Sequence, residues 1–510
     1  MKLILNSEKW FSCGHIHVCG YCYDDAGNLY REKRLCDYFA AVQSPDGFFQ
    51  SLRAANGLFS VIIEKPGMTL IATDRVRRYP LFYTSDGQIT DTPNALVHSL
   101  ERDNEAFSFY NASGAVLPGH TLLKKIKQLP AASYGIYSFD KWQVQQYADY
   151  LCTKKDEKSI SLERLDEVMI SVFQRLVESI GDRQIVVPLT AGNDSRLILC
   201  MLHKMGYHNV VCYTVVGKGS SEWEGANEAA RRLNYKHYKV DIYDEEALQL
   251  TFADEDKWER YYRYVGSYTN FCWLYDYAAL LFLEKKHLID SDAVFVPGHS
   301  ADMIGGSHLY KANVQENENA ESLVNKIMFI NFEYGGSRNV RTTLRDYFNA
   351  CVNAKYTPYS AYQNWVVQHR QVHNILNSIR VYDFLGYDVR LPFWDSALYE
   401  IFSHLPYAEL KKSCLYLDYV QSVFSSYGLS VSMQKKQIHW PCVAMKRLLK
   451  RVVPAEWINR VHKSDPIGEK LLSRRLDLEL THWLGHPHSC TNSNELMLQW
   501  YEMRVLQGRG

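Results

Sequence analysis

The sequence predicts an α/β protein whose larger part is a doubly wound parallel sheet, preceded by a β-rich segment and followed by a helical stretch. Three observations carry this. Apolar, β-branched runs at 184–189, 210–216 and 293–297 lack the polar–apolar alternation of a half-exposed strand, so they read as strands buried on both faces. Between them lie helix-compatible stretches, at 197–206 closed by Gly206 and at 222–233. The third is the polar loop Thr190-Ala191-Gly192-Asn193-Asp194-Ser195-Arg196, set between the first strand and the first helix. A loop at the carboxyl end of a parallel strand and the start of a helix presents free N–H groups and the positive end of a helix dipole, which suits an anion such as phosphate.

Taken in order, residues 1–152 read as one β-rich unit. Leu58–Ile63 and Met68–Thr73 flank a turn at Lys65-Pro66-Gly67, a hairpin signal, and Leu81–Thr84 reads as a third strand. The charged stretch Cys152–Ser159 reads as a linker into a second unit, 160–510. Its first helix carries Leu162, Leu165, Met169, Val172 and Leu176 at spacings of three and four. The sheet strands follow, with Tyr238–Asp241 a third and Ala293–Pro297 a fourth, and Asn270–Lys285 reads as a buried helix. The last third is helical, and Met445–Val453 forms a basic amphipathic pattern that suits a solvated face or a docking surface.

Composition bounds the function. The 510 residues exceed one core, and 57 basic against 57 acidic residues leave no net charge to draw the chain to nucleic acid or membrane. No apolar run approaches the ~20 residues of a membrane span. An acidic residue at Glu8 argues against a secretory signal, and the 12 cysteines are scattered through apolar runs, so the expectation is a cytoplasmic protein with reduced thiols. Cys13, His15, His17, Cys19 and Cys22 form the densest thiol–imidazole cluster, but strand alternation turns Cys22 to the opposite face and no second Cys pair completes a zinc or redox site. His486-Pro487-His488-Ser489-Cys490 reads as loop rather than as a metal site.

Residues 190–195 resemble the Ser-Gly-Gly-x-Asp-Ser pyrophosphate loop of asparagine synthetases and related ATP pyrophosphatases, with Thr190 and Ala191 replacing the first Ser and Gly. A positive φ at that alanine would cost about 1 kcal/mol and reshape the loop. Gly298-His299-Ser300-Ala301-Asp302-Met303-Ile304-Gly305-Gly306 resembles that family's second signature, and Gly386-Tyr387-Asp388-Val389-Arg390-Leu391-Pro392-Phe393-Trp394-Asp395 its third. Ser430–Gln437 is similar to the lysine-bearing segment that closes over the nucleotide. Asn56-Gly57-Leu58-Phe59 with Asp74-Arg75-x-x-Arg78-x-Pro80-Leu81-x-Tyr83 resembles the end of the glutaminase domain of class II glutamine amidotransferases. The nucleophilic Cys and the arginine and asparagine signatures of such domains are missing, since Met1 is followed by Lys2. The resemblance therefore implies an Ntn-hydrolase-like remnant without glutaminase activity.

The resemblance further implies an AMP-forming amide ligase using ATP and Mg²⁺, with a small-molecule, peptide or sugar carboxylate and ammonia or an amine as substrates. A homodimer or a biosynthetic partner protein fits the same reading. On the family's pattern Leu189, Thr190, Ala191, Gly192, Asn193, Asp194, Ser195, Thr214, Val215 and Gly298 would surround the nucleotide, and Asp194 and Asp302 would hold Mg²⁺. Lys435 would neutralise phosphate charge, or is one of a solvated lysine pair. His299 stands where the synthetases have an acid and β-lactam synthetases a tyrosine. It is expected to act with Asp388 as a base near neutral pH, or simply to hydrogen-bond substrate. Asp388 is either catalytic or the partner of a nearby arginine. Three further readings remain: a cyclase of the lasso-peptide or β-lactam type, a non-catalytic assembly subunit, and a tRNA-modifying enzyme, which the neutral charge disfavours.

Overall fold

The structure is a computed structural model that describes residues 2–97, 101–216, 220–242, 245–332, 338–432, 471–488, 490 and 493–508. Among these, five parallel strands form the sheet that positions the site, in the order Lys236–Asp241, Val210–Val216, Ile185–Pro188, Val294–Phe295, Asp388–Val389. Every neighbouring pair is parallel. Ile185, Val186, Val187, Val294 and Phe295 have no exposed surface, which is why these runs show no alternation. The chain goes outward from Ile185–Pro188 through its second and third strands, then returns to the other side for its fourth. Ile185–Pro188 and Val294–Phe295 therefore flank the point where strand order reverses, the crevice in which such sheets bind ligands.

The loop after Ile185–Pro188 feeds the helix Asn193–Lys204, whose residues 195–202 are all buried. That burial, between the sheet and the helices Leu162–Ile180 and Cys414–Ser425, explains an apolar run without a polar stripe. Ser161 caps the first of these by accepting from the Arg164 N–H at 3.2 Å.

Ahead of this sheet lie two others. The order of one is Lys141–Gln146, Ser133–Ser138, Met68–Thr73, Asn56–Lys65, Ile16–Tyr23, Trp10–Cys13, with Leu29–Arg31 also on Ile16–Tyr23, all antiparallel. Lys65 pairs with Met68, so Pro66-Gly67 is a two-residue hairpin turn, with Gly67 at φ 73°. Helices Lys33–Ala40 and Pro45–Ala54 bury Leu35, Phe39, Phe48 and Leu52 on one face of this sheet. Its other face, through Ile62 and Ile71, meets Leu81 and also Ile89 of the smaller sheet, whose strands are Lys2–Ile4, Gln88–Thr90, Phe82–Thr84 and Ile126–Gln128.

Several expectations shift in detail. The helix expected from Asn270 begins at Tyr275, because Asn270 is held in an antiparallel bridge with Ala115. The polar stretch 152–159 is tied down: Cys152 N–H donates to Ser360 Oγ, Thr357 N–H to the Cys152 carbonyl and Lys158 N–H to the His404 carbonyl. The described cysteines are unpaired, with Cys13 and Cys414 exposed and the others buried. His17 is engaged by Ser12 and Glu64. The basic stretch 445–453 lies outside the described residues, and no described helix is long and apolar enough to cross a membrane.

Candidate active site

At the reversal point the loop after Ile185–Pro188 and the loop after Val294–Phe295 open onto one cavity of about 910 Å³. Leu189, Thr190, Ala191, Gly192, Asn193, Asp194, Ser195, Val215, Gly298, His299 and Asp302 all line it. Eleven residues expected at the site from separated stretches of sequence are thus brought together. The reason is local. A methyl at Gly298 would lie 2.6 Å from the Ser195 amide nitrogen and 2.9 Å from Ser195 Cα, so only glycine lets the second loop lean on the first turn of helix Asn193–Lys204. Gly305 plays the same part further on, since its Cβ would fall 2.6 Å from Tyr416 Cβ. That close approach lets the Tyr416 hydroxyl donate to Asp194 Oδ1 at 2.6 Å.

The two aspartates meet. The Asp302 N–H donates to Asp194 Oδ2 at 3.0 Å, while Asp302 Oδ2 accepts from Ser307 Oγ at 2.8 Å and Lys311 Nζ at 3.0 Å. Burial, and then the neighbouring Asp302 charge, push the Asp194 carboxyl up from the usual carboxylate range. Burial also opposes ionisation of Asp302, but Lys311 and His308 outweigh it and hold that carboxyl low. Two neighbouring carboxylates on one cavity, one of them raised by the other's charge, offer hard oxygen donors of the kind that suit a divalent cation such as Mg²⁺.

The pyrophosphate-like loop is held from outside as well as within. Thr190 N–H donates to Ser195 Oγ at 3.1 Å and Gly192 N–H to Thr190 Oγ1 at 3.2 Å. Ala191 N–H donates to Glu222 Oε2 at 2.8 Å, and Ser432 Oγ donates to the Ala191 carbonyl at 2.6 Å. Arg196 donates to the Gly192 and Ser430 carbonyls, both at 3.0 Å, and to Ser432 Oγ at 2.7 Å. The strain expected at Ala191 does not arise: it is not among the residues with positive φ, and its methyl packs toward Gly225.

Two expected residues, Thr214 and Asp388, do not join this group. Thr214 faces away from the cavity; its hydroxyl donates to the Leu189 carbonyl at 2.7 Å and contacts His237 Nε2 at 2.7 Å. Thr214 therefore shapes the strand edge instead of offering a side chain to nucleotide. Asp388 is not paired with His299. It stands in register with Val294, five residues before His299 and at the amino end of the parallel sheet, where Arg183 Nη1 reaches its Oδ2 at 2.9 Å and Lys9 its Oδ1 at 3.8 Å. Of the two readings open for Asp388, the arginine partner is the one observed. Lys435 lies outside the described residues. His299 faces the cavity without a hydrogen-bond partner among the described residues. Burial lowers its pKa to about 4, so it is a neutral imidazole at physiological pH instead of one poised near neutrality.

Residues that sequence reasoning missed are Glu222, Ser307, Lys311 and Tyr416. Each reaches the loops by a fold contact; the one trace in the sequence is Gly305, whose missing side chain admits Tyr416.

Residues 170–491 match the family model described as asparagine synthase. The chain belongs to the asparagine synthase family. That places it in an ATP-dependent amidation and ligase family. No curated protein matches this asparagine synthase family member. Among solved structures it is similar to an NH3-dependent NAD synthetase from Campylobacter jejuni subsp. jejuni, at 14% identity over 38% of this chain and 95% of that one, with a TM-score of 0.20. It is similar too to an NAD+ synthetase from Burkholderia pseudomallei, at 14% identity over 44% and 88%, with a TM-score of 0.18. A glutamine phosphoribosylpyrophosphate amidotransferase from B. subtilis aligns at 8% identity over 46% and 72%, with a TM-score of 0.19. At such TM-scores none of these bears on fold or function.

Proposed function

We propose that this chain is an AMP-forming amide ligase that adenylates a carboxylate with ATP and passes the acyl group to ammonia or an amine. The observation that carries the reading is that Asp194, which accepts from the Asp302 N–H at 3.0 Å, opens with Asp302 and the 190–195 loop onto one cavity. Backbone amides at the first turn of helix Asn193–Lys204 hold the β- and γ-phosphates. Asp194 and Asp302 would hold Mg²⁺, which when bound supplies charge neutralisation on the phosphates. A carboxylate oxygen attacks the α-phosphorus, the bond between the α-phosphorus and the bridging oxygen breaks, and pyrophosphate leaves. The amine nitrogen then attacks the acyl carbon and AMP leaves. Attack by a neutral amine makes the nitrogen of the tetrahedral adduct more acidic than free ammonium, and the neutral His299 imidazole facing the cavity is placed to accept that proton.

The amino-terminal part keeps a β-sandwich but lacks the arginine and asparagine signatures that hold glutamine in class II amidotransferases. Nitrogen accordingly comes as free ammonia or as a substrate amine, not from glutamine hydrolysed by this chain.

The test is product analysis. The protein is incubated with ATP, Mg²⁺ and a small-molecule extract of its host, beside Asp194→Asn. AMP and pyrophosphate that disappear in the variant support the reading, and mass spectrometry of the extract then identifies the consumed acid. ADP as the product, or nucleotide binding without turnover in any extract, overturns it.

A further inference from the structure

The amino-terminal sheet brings together two thiols from separate elements. Strand Trp10–Cys13 pairs with Ile16–Tyr23 so that Phe11 stands opposite Val18 and Cys13 opposite Ile16. Residues directly opposite one another share a face of the sheet, as do residues two apart along a strand. Phe11, Ile16 and Val18 pack in the core under helix Lys33–Ala40, so the Cys13 side chain leaves the sheet on the helix side. Cys36, from that helix, is 1% exposed, and its Sγ lies 3.9 Å from the Phe11 carbonyl oxygen and 3.7 Å from that of Ile16. One of these carbonyls lies two residues before Cys13, and the other belongs to its cross-strand partner. The Cys36 sulfur thus rests on the backbone that carries Cys13. By contrast, Cys19 and Cys22, three apart on one strand, leave the sheet on opposite faces.

The two thiols differ in what they can meet. Cys13 is exposed at the hairpin end, whereas Cys36 is covered. Burial pushes the Cys36 thiol up to about 11; Cys13 and Asp37 add to the rise, and the Cys13 backbone N–H and Lys33 oppose it. An oxidant in solution therefore meets Cys13 first. Both segments also have room to adjust. The turn after Cys13 holds Gly14 at φ 62°, where even an added Cβ would touch nothing. The helix starts from Glu32 at φ 50° with no side-chain cap. Small shifts of that kind bring two sulfurs to the about 2.05 Å of a disulfide.

We propose that Cys13 and Cys36 form a reversible disulfide when the protein meets hydrogen peroxide, which fastens the end of the first hairpin to the first helix. The Cys13 thiolate attacks one peroxide oxygen; the S–O bond forms, the O–O bond breaks, and the released hydroxide takes up the thiol proton as water. The Cys36 sulfur then attacks the Cys13 sulfur; the S–S bond forms, the S–O bond breaks, and the departing hydroxide takes the Cys36 proton as a second water. Two thiols are oxidised and one peroxide is reduced. A dithiol reductant restores both thiols by exchange. Neither residue lines the cavity, so the proposal does not depend on the ligase reading.

In the test, the reduced full chain is treated with hydrogen peroxide, its remaining thiols are alkylated, and it is digested without reductant for mass spectrometry. The expected product is a pair of peptides joined through Cys13 and Cys36, lighter than the reduced pair by two hydrogens and separated by dithiothreitol. Cys36→Ser blocks the second step, so dimedone labelling of the Cys13 sulfenic acid rises about tenfold. Cys13→Ser, at an exposed position, leaves Cys36 reduced under the same treatment. The oxidised chain unfolds at a higher temperature than Cys13→Ser treated alike, because the cross-link restricts the unfolded chain. Cys13 that stays reduced, or that collects as sulfenic or sulfinic acid beside a reduced Cys36, overturns the proposal. Pairing of Cys13 with another cysteine or with a second molecule overturns it too, and a disulfide that lowers the unfolding temperature overturns the fastening role.

Discussion

At Gly298 the added carbon of an alanine would sit 2.6 Å from the Ser195 amide nitrogen, inside the loop that is proposed to grip phosphate. The neighbouring atoms are backbone at a helix start and cannot swing aside, so Gly298→Ala must push the two loops apart. The expected result is at least a tenfold loss of ATP affinity with an unchanged far-ultraviolet circular dichroism spectrum. Unaltered affinity would mean that the loops do not need to touch. The next residue separates the two half-reactions. His299→Ala removes a group that takes up the amine proton only after the adenylate has formed. Pyrophosphate–ATP exchange should persist while amide formation falls by about 10²–10⁴-fold; an equal loss of both would make His299 part of nucleotide binding. These residues were legible because each role follows from neighbours in sequence: a loop between a strand and a helix needs no tertiary knowledge. Tyr416, Lys311 and Glu222 were not legible, because their contacts with Asp194, Asp302 and Ala191 join residues that are far apart or unmarked by any spacing.

For whole elements, the apolar runs named the parallel strands well but could not say which end of a strand a motif residue occupies. Asp388 shows the consequence. A signature around a two-residue strand looks the same whether its acid precedes or follows the paired residues, and pairing with Val294 puts it at the end remote from the site. The π-helical segment Val366–Ile375 left even less trace, since its apolar residues fit an ordinary helix. It places His369, 1% exposed, between Trp365 at 5.5 Å and Phe332 at 5.6 Å. Burial lowers the His369 pKa to about 4 from an ordinary 6.5. The unfolded chain then binds a proton there below pH 6.5 that the folded chain refuses until about pH 4, so His369 removes stability as the pH falls through that window. In His369→Phe the stack survives without the titrating group. Urea unfolding at pH 7, 6 and 5 should give a stability–pH slope shallower than that of the unaltered protein by up to about 1.4 kcal/mol per pH unit. Parallel slopes would show that the imidazole is already protonated when folded.

Over the molecule as a whole, the stretches that resemble two different family signatures turn out to hold one another. Asn56, from the Asn-Gly-x-Phe stretch, donates through Nδ2 to Asp395 Oδ2 at 3.0 Å and accepts from the Ser396 N–H at 2.9 Å. Arg175 meets the same Asp395 oxygen at 2.8 Å. Arg78, from the Asp-Arg stretch, reaches Asp383 Oδ2 at 2.5 Å, and Lys9 reaches Asp383 Oδ1 at 2.8 Å. These contacts fasten the β-sandwich to the segments on both sides of the last parallel strand, Asp383 before it and Asp395 after it. Asp383 is the place to test it, because its side chain is 2% exposed and it neutralises two cations at once. Removing one partner of a buried ion pair strands the other, at a cost of about 3–5 kcal/mol, more than replacing the whole set with apolar groups. Asp383→Ala should therefore lower the unfolding free energy by about that amount in urea, while Asp383→Ala combined with Arg78→Met recovers much of the loss. Pyrophosphate–ATP exchange by the folded fraction should be retained, since neither residue lines the cavity. A loss below about 1 kcal/mol would place the contact among surface ion pairs and leave the retention of these stretches without a structural cause.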